Sequence, residues 1–226
     1  MPVQNNDLIS SARSEKTRNR LLKTTESIFA TRGFGGLTLR AVAQHSQTNL
    51  ASAHYHFGSK EAMVLEMLQA RVRPINQRRI QYLAEAREKS AGQPLSTKDI
   101  LRALILPIGE EIAKSAHTRE TLAQLVARTF TEPAKFIQTM HRKFFGELCE
   151  KFMDELRKTH PQVEEKDLYW NLHLSVSSML GALAQHRRLK DFSKGTCDEE
   201  DTQDMIERLI TFATHGFEAG ISQPSV

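Results

Sequence analysis

An all-α fold is predicted by three features of the sequence. Gly and Pro are scarce, apolar residues recur at helical rather than alternating spacing, and two short amphipathic segments are separated only by Ser46-Gln47-Thr48. The expected organisation is an arm without structure at residues 1–13, an N-terminal three-helix helix-turn-helix domain at 14–62 and a larger helical body at 63–226. A chain of 226 residues can bury a sizeable core in this arrangement.

The elements follow in order. Ser14 is the expected N-cap of a first helix running to Arg32, with Leu21, Leu22, Thr25, Ile28 and Phe29 spaced along one inward face. Gly33 supplies a left-handed stop, after which Phe34 and Leu37 anchor a loop. Thr38 caps a second short helix, Asn49 a third and Ser59 a fourth, which contains Met63, Val64, Met67, Leu68 and Val72. Pro74 is expected to kink or end that fourth helix. After a polar break at 89–94, Leu101, Leu104, Ile105, Ile108 and Ile112 form one apolar stripe, bent at Pro107. Phe136, Met140, Phe144, Leu148 and Phe152 form another, closed by His160-Pro161. Leu168–Arg188 and Asp201–Ala219 are the last two helices, the final one preceded by the acidic run Asp198-Glu199-Glu200-Asp201.

Two short helices joined by a three-residue turn have the spacing of a helix-turn-helix, which presents its second helix to the major groove of DNA. Charge agrees with this. Residues 1–60 hold eight Lys/Arg (Arg13, Lys16, Arg18, Arg20, Lys23, Arg32, Arg40, Lys60) against Asp7, Glu15 and Glu26. That is a local +5 within a total of +4, so the rest of the chain is close to neutral. A basic head on a near-neutral body is the electrostatic footprint of a DNA-binding module with a separate regulatory part.

The stretch Tyr55-His56-Phe57-Gly58-Ser59-Lys60-Glu61-Ala62 resembles the signature that closes the recognition helix of the tetracycline-repressor (TetR) family of regulators. Ile28-Phe29-Ala30-Thr31-Arg32-Gly33-Phe34 is similar to that family's first-helix ending, and Thr38, Leu39 and Ala43 match its second helix, so that the resemblance spans roughly residues 14–65. The chain departs from the pattern at Gln47, where relatives often carry Gly, so the backbone there must accommodate a side chain. It also carries His54 where relatives vary widely.

Thr48, Asn49, Ser52 and His54 are the candidates for base edges, Asn being able to meet adenine through two hydrogen bonds. Leu50 either meets a thymine methyl or packs locally. Thr38, Tyr55, His56 and Lys60 are the candidates for phosphate contact, which fixes register without reading sequence. The resemblance implies the same sorting. Arg13, Lys16 and Arg18 would add contacts from the arm. Val42, Ala53 and Phe57 are the expected packing residues of the motif.

By resemblance, the body is a dimeric helical domain that holds a small molecule. Ser175, Ser178, Gly181 and Ala182 on the penultimate helix, with Ile206, Leu209, Ile210, Ala213 and Phe217 on the last, would form a four-helix interface between two copies. Phe130, Met140, Phe144 and Trp170, with Phe136, Phe145 and Phe152 nearby, are candidates to line an apolar effector pocket, although aromatics at helical spacing more often form plain core. His117, His141 and His173 lack the spacing of paired metal ligands, and Cys149 and Cys197 have neither disulfide-framework nor zinc spacing. No catalytic arrangement can be argued from spacing, so no enzyme, metal or cofactor is expected.

The N-terminus lacks the apolar segment of a signal peptide, and no apolar run approaches the roughly 20 residues of a membrane span, so a cytoplasmic protein is expected. The function expected is a homodimeric regulator, a repressor released from a palindromic operator by a small apolar effector. The alternatives are a helical lipid or small-molecule carrier that keeps the fold without operator binding, and a general chromosome-binding protein.

Overall fold

The computed structural model describes residues 4–130, 132–198 and 200–222. Among the described residues there are ten helices and no strand. They are α1 (Gln4–Arg32), α2 (Leu39–His45), α3 (Leu50–Phe57), α4 (Lys60–Lys89), α5 (Thr97–Ala113), α6 (Ala116–Thr129), α7 (Ala134–Thr159), α8 (Glu165–Ala184), α9 (Arg188–Phe192) and α10 (Thr202–Ile221). The chain divides into two compact units, Met1–Val72 and Arg73–Val226. The division falls inside α4 rather than at residue 62, because Met63, Val64, Met67 and Leu68 are buried and belong to the core of the first unit.

In the first unit, Leu21, Thr25, Ile28 and Phe29 form the buried face of α1, while Leu22 is only partly covered. Thr25 is tolerated there because its hydroxyl donates to the Leu21 carbonyl at 2.8 Å, which satisfies the polar atom within the helix. Gly33 adopts φ 67°, and its amide donates to the Phe29 carbonyl at 2.8 Å, the expected left-handed stop. The Glu26 carboxylate accepts two hydrogen bonds from Arg71, both at 2.8 Å, tying α1 to α4 through a bidentate pair.

The segment expected as an arm is helical from residue 4 and continuous with α1, so Ser14 lies within the helix rather than at its cap. A polar sequence free of Gly and Pro extends an existing helix at little cost, because nucleation is the expensive step. Residues 1–3 of that arm lie outside the described residues. Arg18 does not extend from an arm either: it pairs with Glu66 and lies 6.0 Å from the centre of the Phe57 ring.

In the second unit, α5 packs against α6, α7 and α10, and α10 also packs on α8. All five residues of the predicted α5 stripe are buried, and Ser96 caps the helix by accepting from the Asp99 amide at 3.1 Å. Phe136, Met140, Leu148 and Phe152 of α7 are likewise buried, and Phe144 partly so. Both prolines sit within continuous helices. Pro74 cannot donate to the Ala70 carbonyl, but Ala70 is exposed, so water can take that bond and α4 need not end there.

The α6 helix has no counterpart in the sequence reading; its Leu122, Ala123 and Leu125 make too narrow a stripe to stand out beside its charged residues. The predicted helix through Arg188 stops at Ala184 and restarts as the short α9, with His186 buried at the break and its Nδ1 3.1 Å from the Leu183 carbonyl. No helix among the described residues is long and apolar enough to cross a membrane.

A close approach between α5 and α10 is at Gly109 of α5, where a Cβ atom would stand 2.6 Å from Ile206 Cγ1. Ala is better than Gly inside a helix by roughly 1 kcal/mol, but overpacking a filled core costs about 1–3 kcal/mol. Gly109→Ala should therefore lower the free energy of unfolding in urea by up to about 2 kcal/mol. An unchanged or higher midpoint would show that α10 can move away freely.

Candidate nucleic-acid interface

The α2 and α3 helices pack on each other and on α1. Each begins with the predicted cap. Thr38 Oγ1 accepts from the Ala41 amide at 3.1 Å, and Asn49 Oδ1 accepts from the Ser52 amide at 2.6 Å. The turn between them closes tightly, with the Thr48 amide donating to the Ala43 carbonyl at 2.9 Å and the Ser46 and Thr48 hydroxyls 2.9 Å apart. Gln47 adopts φ 53°, the left-handed conformation that explains why glycine suits this position. Its carbonyl lies 3.5 Å from Arg20 Nη2, a long contact that faces the strained peptide.

The packing residues are those expected: Val42, Ala53 and Phe57 are buried. With that face inside, α3 turns Leu50, Ala51, His54 and Tyr55 outward, with Ser52 and His56 partly covered. Tyr55 is 83% exposed and Leu50 40%, so Leu50 does not pack away completely and remains open to a thymine methyl. His54 Nδ1 lies 3.3 Å from the Gly58 carbonyl, at the glycine that stops the helix with φ 70°.

The candidates differ in how far their polar atoms are already engaged. Asn49 uses one lone pair of Oδ1 on the cap, which leaves the second lone pair and the amide NH2 for a base edge. Thr38 accepts at its cap but keeps its hydroxyl proton to donate. Lys60 Nζ donates to the Phe34 carbonyl at 3.1 Å and sits 4.1 Å from the centre of the Phe34 ring, anchoring the loop before α2. An ammonium has three donors, so this anchoring leaves others for a phosphate. Ser59 accepts from the Ala62 amide at 3.1 Å and caps α4 as predicted. Arg40, not assigned a role from sequence, is exposed in the first turn of α2 beside Thr38. Its signal was positional, a cation immediately inside a helix start.

The proposed effector residues are not brought together. Phe130 is 62% exposed and Trp170 63% exposed, on the surface rather than in an interior pocket, whereas Met140 is buried and Phe144 partly buried on α7. Helical spacing identifies a face but not whether a neighbour covers it. A cleft of about 440 Å³ elsewhere in the body is lined by Ala182, His186, Leu189, Phe192 and Met205, among others. The interface residues expected on α10 are also displaced, because Ile206, Leu209, Ile210, Ala213 and Phe217 are buried inside the subunit. Its exposed large apolar residue is Phe212, 68% exposed, and α8 exposes Trp170 and Leu174 beside Tyr169. Among the described residues there is no group of three or more His, Cys, Asp or Glu able to hold a metal ion.

If the left-handed turn at Gln47 is strained, Gln47→Gly should leave stability unchanged or raise it by up to about 1 kcal/mol, since relief of strain offsets the extra entropy of glycine. Chemical denaturation checks this, and a loss above about 1 kcal/mol would show that the glutamine side chain itself stabilises the turn.

Comparison with known proteins supplies the context. Residues 21–67 match the model described as bacterial regulatory proteins, tetR family. Residues 102–216 match the model described as tetracyclin repressor-like, C-terminal domain. No curated protein matches the chain. Among solved structures it is similar to NalD, the secondary repressor of the MexAB-OprM multidrug efflux pump in Pseudomonas aeruginosa, at 22% identity over 88% of this chain and 96% of that one, with a TM-score of 0.59. It is also similar to HlyIIR, a hemolysin II transcriptional regulator, at 18% identity over 89% of this chain and 98% of that one, with a TM-score of 0.53. Both likenesses show the fold. The regulators of the matched family are DNA-binding proteins without enzymatic activity. With both the helix-turn-helix head and more than half of the chain's length in the body matched, this protein belongs to the TetR family of transcriptional regulators.

Proposed function

We propose that the protein acts as a homodimeric repressor that occupies a palindromic operator and leaves it when a small effector binds the body. The observation that carries this reading is α3, an eight-residue helix with one face buried in the head and an outer face of Leu50, His54 and Tyr55. Ser52 and His54 read base edges, Asn49 adds its side-chain amide beside its cap, and Thr48 sits at the entry to the helix. Thr38, Tyr55, His56 and Lys60, joined by Arg40, meet phosphates on either side. Repression is typical of the family, which supports that choice over activation.

Two copies place their recognition helices roughly 34–36 Å apart when they read successive major grooves of a palindrome. The exposed Trp170, Leu174 and Phe212 on α8 and α10 are the surface that would join the copies, since large apolar side chains at this exposure gain most from mutual burial. Effector release follows from population shift: a ligand that binds one body conformation better draws the protein into it, and the recognition helices no longer match the grooves. Met140 and Phe144 remain the interior candidates for contact with the apolar part of that ligand.

A gel-shift comparison of DNA from upstream of the protein's own gene with a shuffled sequence tests operator choice. Specific binding is expected, and for about 6–10 phosphate contacts it should weaken by roughly 10³–10⁵ between 50 and 200 mM salt. Equal binding to both DNAs would refute sequence reading, and no binding at moderate salt would favour a carrier. Leu174→Glu combined with Phe212→Glu should give a monomer by light scattering and remove the roughly 10²–10⁴-fold gain from two linked heads. A double variant that stays dimeric moves the interface elsewhere.

A further inference from the structure

Arg79 of α4 is an unusual residue to find inside a helical body. It is only 5% exposed. Its Nε donates to the Leu104 carbonyl at 2.7 Å, Nη1 to Asn76 Oδ1 at 3.1 Å, and Nη2 faces the Met179 sulfur at 3.7 Å. Every one of these acceptors is neutral, and no carboxylate pairs with Arg79 among the described residues. Burial pushes its guanidinium down to about 10, so it is still charged at neutral pH. Cys149, the titratable group whose charge would favour it, is no counterion, because burial pushes that thiol up and keeps it protonated. Three other arginines of α4 differ, Arg71 pairing with Glu26, Arg78 with Glu110 and Arg87 with Glu155, and Arg73 is exposed to water.

A buried charge without an opposite charge is destabilising on its own, and a group of that kind in a ligand-holding domain calls for a ligand that completes it. We infer that the body's effector carries a carboxylate on an apolar frame, and that Arg79 is the charge that meets it. The thioether of Met179 is a weak and flexible acceptor, the contact that a carboxylate oxygen replaces most readily. Asn76 stands beside the guanidinium, held by a bond from its Nδ2 to the Phe144 carbonyl at 2.8 Å, so the same ligand would touch the α7 segment that carries Met140 and Phe144. The apolar frame then lies among Leu104, Met179 and the α7 side chains, while the charge is fixed on α4. The inference rests on the effector-gated reading above and adds the chemical class of the effector.

The test uses the full-length protein with sodium decanoate and sodium benzoate, each compared with its neutral amide, by calorimetric titration and thermal unfolding. At least one acid should bind tenfold or more tightly than its amide and raise the unfolding temperature. Arg79→Met and Arg79→Gln should erase that preference, and Arg79→Lys should keep it. Without ligand, Arg79→Met should unfold at the same temperature as the parent or higher, whereas a purely structural arginine would lower it. Equal binding of acid and amide, no binding of either acid, or a preference that survives in both neutral variants overturns the inference. Operator release followed in the same samples separates the two readings. Release by a neutral compound with no response to the acids sinks the anionic effector and spares effector gating. An acid that binds through Arg79 without releasing DNA does the reverse.

Discussion

A helix of eight residues does not persist alone in water, because nucleation costs more than a few backbone bonds return. The α3 helix exists because Ala53 and Phe57 are buried against the head, and everything on its outer face depends on that burial. Burying a Phe side chain is worth about 1.5–3 kcal/mol, more than either cap hydrogen bond at about 1 kcal/mol. Packing thus holds the helix, while Asn49 and Gly58 decide where it begins and ends. Asn49 serves both ends of that division, since one lone pair of its Oδ1 caps α3 while the other and the amide NH2 stay open to a base edge.

The body is organised differently. Most of its helices are long, and their relation is set by apolar stripes that meet at close range, as where Gly109 of α5 lets Ile206 of α10 approach. Polar side chains in this unit are mostly neutralised in place. Arg119, nearly buried, donates to the Glu200 carbonyl at 3.0 Å and to Thr202 Oγ1 at 3.2 Å, pinning the acidic segment before α10, and it pairs with the Glu200 carboxylate. Against that background, a buried arginine bonded only to neutral atoms stands out as an incomplete arrangement.

The head was readable because its signals are local: the caps Thr38, Asn49 and Ser59, the stop at Gly33 and the turn length all lie within a few residues of what they control. Gln47 announced its own special backbone once its position in the turn was known. The body was readable as helices but not as surfaces. Apolar periodicity located α5 and α7, yet it could not tell that Phe130 and Trp170 face solvent, or that the regular stripe of α10 packs inside its own subunit and leaves the large Phe212 outside it. A periodic stripe is what an intramolecular core selects, so the residues left for a partner are the apolar ones that break the period. The α6 helix and the buried Arg79 were hidden for a related reason: burial by distant elements leaves no trace in nearby sequence.

One feature of α4 bears on how such proteins change over evolutionary time. Its first turns lie in the core of the head, its later turns carry Arg79 into the body, and the boundary between the units falls between Val72 and Arg73 within the same helix. Each residue inserted into an α-helix turns whatever follows by about 100° and advances it by about 1.5 Å. Heads and bodies from different ancestors can therefore be joined here only in helical phase. A deletion that would be harmless in a surface loop would, at this point, rotate Ile75, Arg79 and Leu83 off the face they bury, so the length of α4 is under tighter constraint than its composition.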